Sequence, residues 1–154
     1  MECSFDITKK NRAIFSNFLS VFSLEQLNTV PKGFKNSIYW NIAHVVVTQQ
    51  LLVYHLSQLP MLVSDQFVEK FRKGTQTEFD ATKENVDQLK KLLFSTLKQT
   101  KLDFDNGLFK SYQPYTVSTK STLKTVEEAI EFNNFHEGIH LGYILAMKNT
   151  FLIQ

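Results

Sequence analysis

Val126, Ala129, Asn133, His136, His140, Tyr143 and Met147 advance by alternating steps of three and four, the spacing of one helix face. A strand repeats its faces every second residue and has no use for such a pattern. A helix of this length carries a continuous inward seam that other helices must cover, so the end of the chain already points to helices packed on helices.

Two further stretches carry the same kind of period. Ile14, Phe15, Phe18, Leu19 and Phe22 lay one stripe along a helix from about Ile7 to Phe22, opposite Lys9, Lys10, Asn11 and Asn17. From about Thr82 to Lys98, Val86, Leu89, Leu93, Thr96 and Leu97 point inward, with Lys83, Asp87, Lys90 and Lys91 outward. Between them, Asn36 to Ser57 includes the β-branched run Val45-Val46-Val47. Its length without Gly or Pro exceeds an ordinary strand, so it reads as a helix that stops at Leu59-Pro60.

The connections have their own signals. Ser23 is placed to cap a short turn to Leu27, in a linker ending before Pro31 and Gly33. Met61–Asp80 reads as a long connection, with one or two helical turns suggested by Phe67, Val68 and Phe71 before Gly74. Leu102–Leu123, with Asn106-Gly107, Pro114 and the alternation Tyr115-Thr116-Val117, reads as a hairpin-like loop across the end of a bundle. Thr125 and Glu128 then form a capping-box pattern that opens the last helix, which extends to about Lys148 or beyond. The expected fold is all-α: a single domain over 1–154, a four-helix bundle with long connections after its second and third helices.

Seventeen Lys and Arg against 15 Asp and Glu give a net charge of +2, with no basic stripe for nucleic acid. Cys3 is the only cysteine, which excludes an internal disulfide and reads as an inert terminal thiol in a reducing compartment. The charged start, with Glu2, Asp6, Lys9, Lys10 and Arg12, does not resemble a signal peptide, and no window is apolar enough to span a membrane. A cytoplasmic protein with no membrane or nucleic-acid partner is the expectation.

His136 and His140 lie one turn apart on the inward seam, so their imidazoles project from one face and are able to chelate one ion. Two unpartnered buried imidazoles are costly, and a metal satisfies both. The string His136-Glu137-Gly138-Ile139-His140 also matches the H-E-x-x-H of metalloproteases. Those enzymes take a third ligand from further downstream, and Leu141 to Gln154 contains no Asp, Glu, His or Cys. Proteolysis therefore fails on ligand supply, and Glu137 reads as an exposed carboxylate or one that supports a ligand from behind. The third ligand has to come from upstream. His44 sits among Trp40, Ala43, Val47 and Leu51, whereas His55 lies near a helix end and reads as structural. Asn133 is a further candidate to support a ligand, and Trp40 and Tyr143 are candidate pocket walls.

The segment from Asn36 to His44 resembles the W-x-x-x-H element of the DinB-like (damage-inducible) family. His136 with His140 resembles that family's terminal-helix H-x-x-x-H, followed by a small residue at Gly142. The resemblance implies an up-down-down-up bundle and homodimers. It implies one divalent metal ion (Zn, Ni, Fe or Mn) on His44, His136 and His140, and relatives that are metal-dependent hydrolases or transferases acting with low-molecular-weight thiols. The expected function is a metal-dependent enzyme that activates water or a small thiol for a small-molecule substrate. The competing expectation is a metal-free dimeric interaction module with a buried histidine network.

Overall fold

A computed structural model describes residues 1–151 of the chain. Among them are six α-helices: α1 (Glu2–Val21), α2 (Leu24–Asn28), α3 (Ile38–Val53), α4 (Asp65–Phe71), α5 (Lys83–Asp105) and α6 (Val126–Thr150). A 3-10 turn at His55–Ser57 and a two-stranded sheet, β1 (Tyr115–Thr116) with β2 (Thr122–Leu123), complete the secondary structure. The fold is all-α apart from that small sheet.

Side-chain oxygens start most of these helices by accepting from first-turn amides. Ser23, Ser37, Ser64, Thr82 and Thr125 do so for α2 to α6, and Ser23–Gln26 and Thr82–Asn85 are reciprocal capping boxes. At Thr125 the box is opened by one residue: Glu128 Oε2 accepts from the amide of Lys124 rather than from that of Thr125. The run Val45–Val47 is helical and fully buried, since α3 is covered nearly all round and packing outweighs β-propensity. Beyond Val53 the chain tightens into the 3-10 turn and leaves it through Gln58, at φ 60.

Two boundaries differ from the sequence reading. The first helix begins at Glu2, and the third runs on to Asp105, held past Lys98 by the i,i+4 contacts of Gln99 with Asp103 and Lys101 with Asp105. The inward face of α1 is also rotated: Phe5, Thr8, Arg12, Phe15, Phe18 and Leu19 are buried, while Ile14 is exposed. The hairpin-like loop is as expected, with Tyr115 opposite Leu123 and Thr116 opposite Thr122.

Helix α6 packs against α3 and α1, and α5 packs against the same two. The core lies between them in two apolar clusters. One gathers Phe15, Leu19, Ile42, Leu89, Leu93 and Ile144; the other gathers Phe5, Leu52, Val53, Leu97, Ala129 and Ile130. Each long helix crosses from one cluster to the other through buried polar residues: Thr8 and Arg12 on α1, Gln49 and Gln50 on α3, Thr96 on α5, Asn133 and Glu137 on α6.

On α6 the buried line passes through Glu137 and Ile144, whereas Tyr143, placed on the seam by spacing, is exposed. Ile144→Ala therefore costs about 2–5 kcal/mol by cavity formation, and Leu145→Ala, on the exposed side, costs less than about 1 kcal/mol. Urea denaturation of the two variants checks the face; equal losses contradict it.

Candidate metal centre

Three imidazoles meet where α3 crosses α6. His44 comes from the middle of α3, and His136 and His140 come from consecutive turns of α6. Their ring centroids are 5.2 Å (His44–His136), 4.9 Å (His44–His140) and 4.6 Å (His136–His140) apart. One ring nitrogen from each lies within 4.8 Å of the other two, close enough to hold one metal ion. His44 is buried and the other two are partly exposed.

Hydrogen bonds fix the protons. The Nδ1–H of His44 donates to the Phe71 carbonyl at 2.6 Å, which leaves Nε2 bare; the Thr48 hydroxyl donates to it at 3.2 Å. His140 Nδ1–H donates to Asn41 Oδ1 at 2.8 Å, and the Asn41 amide is itself oriented because its Nδ2 donates to the Ser37 carbonyl at 2.8 Å. The bare Nε2 of His140 then accepts from His136 Nε2–H at 3.2 Å, and His136 Nδ1 is left buried without a partner.

Such ligand rings held from behind by oxygens are what a metal site requires. Burial pushes all three imidazoles below the usual 6.5, His136 to about 2 and His140 to about 3. The neighbouring histidines add to the effect on His136 and His140, as does Arg12 on His136. Neutral rings with free lone pairs at pH 7 are the form in which histidine binds metals. The donor set fits a divalent ion: two Nε2 lone pairs are already fixed, and His136 supplies a third when its proton moves to the unpartnered Nδ1.

The DinB superfamily model matches residues 7–144, which include all three histidines. The chain belongs to the DinB superfamily. No curated protein matches it.

In this DinB-superfamily chain the remaining candidate residues fall in different places. His55 is exposed and belongs to no ligand cluster among the described residues; it stands at the rim of a cavity of about 410 Å³ whose floor includes His44 and His136. Trp40 stacks on His44, with centroids 4.6 Å apart and planes 12° from parallel, and walls a second cavity of about 280 Å³ that His44 and Lys73 also line. Tyr143 lines neither cavity and packs edge-on against Phe34.

Glu137 is not an exposed carboxylate and does not support a histidine. It is fully buried and accepts from Arg12 Nε at 2.8 Å and from Asn133 Nδ2 at 2.9 Å. Asn133 thus serves Glu137 and makes no hydrogen bond to His136. Sequence reading missed this pair because Arg12 and Glu137 lie far apart in the chain, and neither type signals burial alone. It also missed Phe71 and Asn41, which act on the rings through a backbone carbonyl and a side-chain amide. Asn41 had one usable signal, its place one turn before His44.

Removing one partner of the buried pair strands the other charge, so Glu137→Leu is expected to cost about 3–5 kcal/mol while Arg12→Met with Glu137→Leu recovers most of it, by urea denaturation. Acid provides a second test. The native imidazoles take up protons below the unfolded value of about 6.5, His136 and His140 well below it, so the unfolded chain binds more protons and stability falls as pH drops below that point. In chelator, His136→Gln lessens that slope by up to about 1.4 kcal/mol per pH unit between about pH 6.5 and pH 5. An unchanged slope contradicts a neutral His136.

Proposed function

We propose that the chain is a metal-dependent enzyme in which His44, His136 and His140 hold one divalent ion, Zn, Ni, Fe or Mn, to activate water or a small thiol. The observation that carries this reading is the pair of fixed tautomers. With Nδ1–H of His44 and His140 engaged by Phe71 and Asn41, two lone pairs remain beside a third imidazole within 4.8 Å. Bound there, such an ion lowers the pKa of water to about 7 or holds a thiol as thiolate.

The chain's own residues do the rest. Phe71 and Asn41 orient their rings, His136 moves a proton from Nε2 to Nδ1, and Trp40 shields one face of His44. Three nitrogen ligands leave room for substrate, and the reaction class is hydrolysis or thiol S-transfer.

An up-down-down-up course of the long helices goes with this reading. Tyr39–Asn85 and Gln49–Thr100 support parallel α3 and α5; Ser4–Asn134 and the Phe22–Phe151 rings support parallel α1 and α6; Asn41–His140 with His44–His136 supports opposed α3 and α6. We also propose one domain over 1–154 and a homodimer, on the exposed Ile7, Ile14 and Val21 spaced seven apart along α1. The free thiol of exposed Cys3 supports a cytoplasmic setting. No described helix is long and apolar enough to cross a membrane.

The metal-free interaction module has one observation in its favour, the direct Nε2–Nε2 hydrogen bond between His136 and His140. Elemental analysis of untagged protein, purified without added metal, separates the readings. Near one metal per chain is expected, and none in His44→Ala with His136→Ala. An ion at a thousandfold excess over its Kd also stabilises the fold by about 4 kcal/mol. A parent that neither contains metal nor gains stability from Zn²⁺, Ni²⁺ or Mn²⁺ returns the site to packing. Activity that requires added thiol assigns the transferase, and activity without it the hydrolase.

A further inference from the structure

Two cavities meet at His44 and share Lys73. The larger, about 410 Å³, is walled by Leu51, Leu52, Val117, Phe132, Phe135 and Ile139. Phe135 and Ile139 keep 52% and 49% of their surface exposed at its mouth, an apolar area that no described residue covers. The smaller, about 280 Å³, is polar and carries Lys35, Lys73, Asn36, Thr75 and Gln76 beside Trp40.

Charge separates this region from the rest of the molecule. The chain has 15 Asp and Glu, yet none lines either cavity. Among the described residues neither Lys35 nor Lys73 pairs with a carboxylate. Three neutral imidazoles bring no negative charge to a divalent ion, so the region is cationic with nothing of its own to balance it.

We propose that the joined cavities take an anionic amphiphile, its carboxylate or phosphate head between Lys35 and Lys73 beside His44 and its hydrocarbon or aromatic part against Phe132, Phe135 and Ile139. Apolar walls with a few convergent polar groups are the ordinary make-up of a small-molecule site, and the missing counter-charge selects the sign of the head. The inference rests on the three-histidine reading for part of that charge and on the two lysines for the remainder.

Trp40, the only tryptophan, walls the polar cavity and reports its occupation. Octanoate, octyl phosphate, octanol and octylamine are titrated into metal-free and zinc-loaded protein, followed by Trp40 fluorescence and calorimetry. A zinc titration alone is run beside them. Octanoate or octyl phosphate is expected to bind at least about tenfold more tightly than octanol, and octylamine more weakly than octanol. The better of the two anions identifies the head. Lys73→Glu should remove that preference, and Ile139→Glu should weaken both anions severalfold. Both residues face solvent in part, and an unchanged melting temperature shows that each variant folds. Octanol binding as well as the anions, or a preference untouched by Lys73→Glu, overturns the proposal whether or not zinc binds. Failure of zinc to bind overturns the metal reading alone, since the lysines are still tested by the metal-free arm.

Discussion

The ion pair between Arg12 and Glu137 joins two helices at opposite ends of the sequence in a place where neither charge reaches water. Such a pair is tolerated only where it forms, because a lone buried charge costs several kcal/mol. It fixes the rotation of α1 about its axis and the height of α1 along α6. With Gln49, Gln50, Thr96, Thr100 and Asn133 it makes a polar layer that divides the apolar core into two clusters. Gln50 Nε2 donates to Gln49 Oε1, Gln49 Nε2 to Thr100 Oγ1, and the Thr100 hydroxyl to the Thr96 carbonyl, while Gln50 Oε1 accepts from the Leu62 amide and ties the layer to the segment after α3. Directional bonds at mid-height hold the register of four helices more strictly than apolar contact alone does.

The histidines are the edge of that layer. Glu137 and His136 are neighbours on α6, so the helix rotation that buries one carboxylate against Arg12 turns the adjacent imidazole toward His44. The three rings share a problem with the ion pair, since they are polar groups in a setting of low dielectric. They solve it differently: they remain neutral, and Phe71 and Asn41 take up two of their protons.

Apolar period made the long helices legible, and Thr125 with Glu128 marked the start of the last of them. It failed at the face of α1. Arg12 is on the buried side and Ile14 on the exposed one, an exchange that hydropathy cannot anticipate because Glu137 compensates it from far along the chain. Glu137 was misplaced for the same reason: its position inside H-E-x-x-H drew attention to chemistry, while its partner is structural. The two-histidine turn stood out because i,i+4 spacing is local, and His44 by its apolar surroundings. The groups that hold the rings were hidden, since a backbone carbonyl at the end of α4 leaves no mark in sequence.

Loops and helices divide the labour at this site. Ring positions depend on α3 and α6, the helices with the most extensive mutual packing. The cavity walls combine helix residues, among them Leu51, Phe132, Phe135 and Ile139, with Lys73, Thr75, Val117 and Thr119 from the connecting segments, which hydrogen bonds tie to the helices. Gln113 N–H donates to the Leu56 carbonyl at 2.7 Å, Trp40 Nε1–H to Thr75 at 3.1 Å, and Val117 and Leu123 sink into the core. A substitution at Lys73, Ser118 or Thr119 alters what the cavities admit without touching Asn41 or the Arg12–Glu137 pair. Phe71, the last residue of α4, both fills the core and orients His44. The end of α4, two residues before Lys73, is therefore where a change beside the cavity wall reaches the ring chemistry.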